Sequence, residues 1–169
     1  MKKVLDISQA DTRKLRNPPP PRYSDRQLLG ALVSKAPMTI AGVDELPGGL
    51  VAMYDPQANS ISVRRGMEFF DTFRGVAQEL ALADLTTGPA TQTAPEFSAY
   101  CASYLLCKKY GVDTRPFSFE SAPGVFASMD AQKIKGELSQ IRNVAEDISG
   151  RMARQLEARQ RTAKSQDAR

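Results

Sequence analysis

Along this chain the apolar positions follow two rhythms, one near 3.6 residues that marks amphipathic helices and one of two that marks half-buried strands. Leu28, Leu29, Leu32 and Val33 share one side of a helix predicted over 25–35, which Ser24 is suited to cap and Lys35-Ala36-Pro37 to end. Short strands are expected at Met38–Ala41 and Leu50–Tyr54, separated by the turn-rich Pro47-Gly48-Gly49. Ser60–Arg64 alternates as a half-buried strand should, and Asp55–Asn59 supplies the turn residues of a hairpin. After Gly66 the helical rhythm returns over 67–85 through Phe70, Phe73, Ala77, Leu80 and Ala81. A loop with Gly88, Pro89 and Pro95 leads to a second apolar helix near 96–110, carrying Phe97, Cys101, Tyr104 and Leu105 on one face. Gly111 stands where a C′ glycine would end it, and an irregular segment over 112–127 follows.

A long last helix is predicted from Ser128 or Asp130. Ile134, Leu138, Ile141, Ala145, Ile148 and Met152 recur along it at intervals of four and three, which makes a packing seam. The seam can seat on the body of the domain or zip to another chain as a coiled coil. It spans too few heptads for a sustained coiled coil, so packing in cis is the expectation. Beyond Leu156 the stripe fades into RQRTAKSQDAR, where fraying or disorder is expected. The predicted class is α+β, mainly helical, with a small antiparallel sheet or hairpin and a long C-terminal helix.

Length adds that a single core is enough for 169 residues. The expected division is a Pro-rich basic arm over 1–22, one domain over 23–156 and a basic tail over 157–169. Pro18–Pro21 would hold the arm extended as a spacer, or present a ligand to an SH3-like partner. No apolar run is long enough to span a membrane and the N-terminus lacks an apolar leader core, so a cytoplasmic protein is expected. Cys101 and Cys107 project to different faces of one helix and are expected to be reduced, semi-buried thiols.

Charge is uneven. Residues 1–26 hold seven basic and three acidic side chains and residues 151–169 hold six and two, so each end carries +4 while the whole chain is also +4. The middle is therefore −4. Basic ends around an acidic body are either solvated tails or arms for nucleic acid, and without interleaved aromatics the first reading fits better.

The chain contains no histidine. Acting alone, the chain therefore cannot be a Ser-His-Asp or Cys-His hydrolase, a His-ligated zinc enzyme or a His-phosphorelay protein, and two cysteines are too few for a four-thiolate zinc site.

One stretch narrows the reading. The helix over 67–85 contains Ala77-Gln78-Glu79-Leu80-Ala81-Leu82-Ala83, preceded by Ser60-Ile61-Ser62-Val63-Arg64-Arg65-Gly66. It is followed by Glu96-Phe97-Ser98-Ala99-Tyr100-Cys101, then Tyr110-Gly111-Val112-Asp113-Thr114 and Phe117-Ser118-Phe119. In this order the motifs resemble the zincin-type metallopeptidase domain of ArdC-type antirestriction proteins and, more distantly, the ImmA/IrrE peptidases, over about Gly49 to Ile148. In that domain the helix reads approximately H-E-L-A-H-A. Its two imidazoles, one helical turn apart, hold zinc, and the Glu beside the first is general base for a zinc-bound water.

The resemblance places Gln78 and Leu82 at the two histidine positions and Glu79 at the general base. Ser98 and Tyr100 fall where the second helix supplies an acidic ligand, and of that helix's acidic cluster only Glu96 remains. Gln is a poor zinc ligand and Leu has no donor atom, so no metal, no cofactor and no metallopeptidase activity are expected. What the resemblance then implies is a catalytically inactive domain kept for binding, in the setting of a mobile genetic element, with a protein or peptide partner. Glu79 is expected to be hydrogen-bonded near Gln78 or Tyr100, its pKa raised if it is buried without a cation. Two further readings stand beside this one: a nucleic-acid accessory protein gripping phosphate with its ends, and a hydrolase using Glu79 and Glu96 around a harder metal such as Mn or Mg.

Overall fold

The computed structural model describes residues 23–87 and 94–167, with side chains through Thr162. The N-terminal arm therefore lies outside the described residues. The order is α1 (Asp25–Val33), β1 (Thr39–Val43), a 3-10 turn at Pro47–Gly49, β2 (Ala52–Asp55), β3 (Ser60–Arg64), α2 (Phe69–Thr87), α3 (Pro95–Tyr110), α4 (Ala122–Phe126) and α5 (Ala131–Asp167). This is an α+β domain with a small sheet and a long last helix.

Four boundaries are set by local bonds or backbone geometry. Ser24 caps α1 in a reciprocal box: its Oγ accepts from the Gln27 N–H, and the Gln27 side chain accepts from the Ser24 N–H at 2.8 Å. Asp55 Oδ1 accepts from the N–H groups of Gln57 and Ala58, which folds the β2–β3 turn, and Asn59 closes it at φ 46°. Gly111 ends α3 at φ 70°, left-handed backbone that a side chain would resist. Asp130 accepts from the Lys133 N–H at 2.8 Å and so starts α5.

The sheet differs from the simple hairpin expected. β3 is central: it pairs antiparallel with β2 and in parallel with β1, Ile40 lying opposite Ile61 and Gly42 opposite Val63. One face carries Ile61, Ala52 and Tyr54 toward α2, while the other presents Ser60, Ser62 and Asp55. α2 and α3 form the main helix pair, and α5 packs across α1, α2 and α3.

The last helix thus seats on its own domain. Ile141, Ala145, Ile148, Met152 and Leu156 are all buried, whereas Leu138, counted in the same seam, is 52% exposed. Leu138 faces an open apolar groove between α5, α3 and the 119–126 segment, lined by Phe97, Leu105, Phe119 and Phe126. Nor does the helix stop at Leu156; it continues through Asp167, in place of the frayed tail expected over 157–169. Ala, Arg, Gln and Lys in that stretch are good helix formers, and neither Gly nor Pro interrupts them.

Cys107 is buried and Cys101 half-buried, both free, and burial pushes each thiol up to about 11. At pH 8 the native protein is therefore expected to alkylate with iodoacetamide on the order of 100-fold more slowly than the same protein in urea, because the thiolate fraction falls in proportion. Equal rates in the two conditions would contradict this packing.

Candidate functional site

The face of α2 turned to the sheet is set by Gly75. A Cβ there would stand 3.1 Å from Val51 Cγ1 and 3.6 Å from Ala52 Cβ, so glycine lets the helix ride close to β2. Glu79 follows one turn later on the same face. Its Oε2 accepts from the Tyr54 N–H at 2.9 Å, on the edge of β2 that faces away from β3. Burial raises the Glu79 pKa above the usual carboxylate value, and the Tyr54 N–H opposes that rise. The upward shift is the one expected. The partner is not: the carboxylate bonds the strand backbone rather than Gln78 or Tyr100.

The other predicted positions turn to different neighbours. Leu82 is half-buried and packs on the core, Gln78 is half-buried beside Ala77, and Glu96 is exposed in the first turn of α3. Ser98 is buried and donates to Glu137 Oε2 of α5 at 3.3 Å. Tyr100 instead faces the segment after α3, where its Oη accepts from the Ser118 N–H at 2.7 Å. Ser98, Tyr100 and Glu79 thus serve α5, the 117–119 segment and the sheet respectively.

That segment closes an aromatic cluster the periodicity did not single out. Tyr100 and Tyr104, one turn apart on α3, meet Phe117 and Phe119 at centroid distances of 4.9 to 5.6 Å. Arg74 of α2 lies 5.7 Å from the centre of the Phe117 ring and is braced by Asp71 at 2.7 Å. The Ser103 hydroxyl donates to the Arg74 carbonyl and ties the two helices at the same level. Asp113, in the Gly-Val-Asp-Thr exit, is held by Arg115 through side-chain bonds that lower its carboxyl to about 2. The sequence signal for the cluster was Tyr100 and Tyr104 at helical spacing, with two more rings two residues apart beyond the exit.

The donor set does not fit zinc. The four positions that the sequence resemblance sets at zinc ligands, Gln78, Leu82, Ser98 and Tyr100, offer an amide, an alkyl group, a hydroxyl bonded to Glu137 and a phenol bonded to backbone. Among the described residues no group of three or more His, Cys, Asp or Glu side chains lies close enough together to hold a metal ion. No described helix is long and apolar enough to cross a membrane.

No protein-family model, curated protein or solved structure matches the chain.

Proposed function

We propose that this chain is a zincin-like domain that binds rather than cuts, serving as an accessory module with a protein or peptide partner in the setting of a mobile genetic element. The observation that carries the reading is the use made of Glu79. At the position of a general base, its carboxylate is tied to the Tyr54 N–H and fastens strand to helix, while the neighbouring ligand positions carry Gln and Leu. The order of parts supports the family: a strand pair running into Arg64-Arg65-Gly66, then α2, then α3, then Val112-Asp113-Thr114 and the rings of Phe117 and Phe119. The packed aromatic cluster beside α2 offers a rigid surface of the kind that protein partners use.

Restoring the ligands tests the alignment. The triple variant Gln78→His, Leu82→His, Tyr100→Glu is expected to bind about one zinc per chain by elemental analysis after dialysis, and the natural protein essentially none. No gain of zinc in a folded triple variant would overturn the zincin reading. Inactivity is tested separately: the natural protein with added zinc or manganese should leave a mixed fluorogenic peptide library intact. Cleavage that disappears in Glu79→Gln would overturn it.

A further inference from the structure

The opposite edge of the sheet carries a second feature. α2 packs across β2 and β3 but hardly reaches β1, so the β1 share of the inner face, Ile40 and Gly42, overhangs the core. α1 lies across the gap, and the space left between helix and sheet is a chamber of about 570 Å3. Its walls are Leu29, Val33, Ile40, Val63, Phe69 and Val76. Both the volume and the apolar lining fall in the range of small-molecule sites.

The mouth is cationic. Arg159, from the late turns of α5, lays its guanidinium on α1 at Gly30, where a Cβ would stand 3.0 Å from Nη1 and 3.3 Å from Nη2. Glycine at that position is what allows the charge to reach the chamber. Arg26 shares the rim, against the single carboxylate of Asp25. On β1 the Arg65 side chain lies against Gly42, but it is already paired with Asp44 at 3.0 Å. Arg159 makes no ion pair or hydrogen bond among the described residues. Arg26 is likewise without an ion pair or hydrogen bond among the described residues, so the chamber has an apolar interior and two guanidiniums at its entrance that no described side chain engages.

We propose that this chamber binds a medium-chain or aryl carboxylate, its tail against the β1 overhang and its carboxylate on Arg159. A neutral tail gains by leaving water, and the planar guanidinium receives a carboxylate through two parallel N–H bonds. The site is separate from the Glu79 region and does not depend on how that region is read.

The test is calorimetric titration of the full chain with octanoate, beside 1-octanol and octylammonium as neutral and cationic counterparts. Octanoate is expected to bind one per chain and more tightly than either counterpart, each added methylene tightening binding about fourfold. Arg159→Gln should weaken octanoate about tenfold and leave octanol unchanged. Val33→Trp, which fills the chamber from its exposed rim, should abolish both, with its thermal transition confirming that it folds. No binding at millimolar octanoate, equal affinity for the three probes, or indifference to both variants would overturn the proposal. So would a concentration-dependent dimer that octanoate disperses, which would give the chamber to a second copy of the chain.

Discussion

Replacing Ile148 by Ala is expected to destabilise the protein by about 2–5 kcal/mol, seen as a lower urea midpoint at unchanged slope. Ile148 is fully buried where α5 crosses the other helices, so truncation leaves both lost apolar contact and a cavity. Leu138→Ala, in the same apolar stripe of the same helix, is expected to change stability by no more than about 0.5 kcal/mol. At 52% exposed, Leu138 has little burial to lose. The contrast separates a helix seated on its own domain from one zipped to another chain, in which both positions would matter and the midpoint would depend on protein concentration.

Removing the Glu79 carboxylate should cost about 1–3 kcal/mol in Glu79→Ala, because the Tyr54 N–H on the edge of β2 then loses its acceptor. Glu79→Gln keeps an oxygen in that place and is expected to retain the strand contact. The comparison with Gln also reads the ionisation. The folded carboxyl titrates above its ordinary value of about 4.3 because burial disfavours the charge, only partly offset by the Tyr54 bond. Such a group gives its full contribution to stability below its unfolded pKa and loses it as pH rises through the folded one. Stability measured for Glu79→Gln relative to the natural protein should therefore increase from pH 4 to pH 7. A pH-independent difference would mean that Glu79 ionises in the folded protein as it does in the unfolded chain.

Local rules carried much of the fold. Ser24 with Gln27, the Asp55 turn and Gly111 set their element boundaries through bonds to nearby backbone, and such bonds are legible from residue type and spacing. The parallel pairing of β1 with β3 was not legible, since pairing between strands separated by another strand is a tertiary contact that neither strand's own pattern encodes. The same limit applies to α5. Its repeat marked Leu138 and Ile148 alike, and only the tertiary packing, a buried seat for Ile148 and an open groove for Leu138, distinguishes them. At the candidate site, residue identities alone put an amide at Gln78 and an alkyl group at Leu82, where the zincin resemblance calls for imidazoles. The partner of Glu79 depended on how closely Gly75 lets the helix approach β2, a tertiary distance that no periodicity encodes.

The seat of α1 against α5 has a consequence for synthesis. Arg151 donates to the Lys35 carbonyl across 116 residues of chain, and Arg159 rests on Gly30 further along the same contact. The first described helix therefore leaves the ribosome well before the surface that covers it. At translation rates of about 5–20 residues per second, that interval is on the order of ten seconds. During it, the side of α1 that meets α5 remains open to water or to a chaperone, and that seam closes only when the last helix emerges.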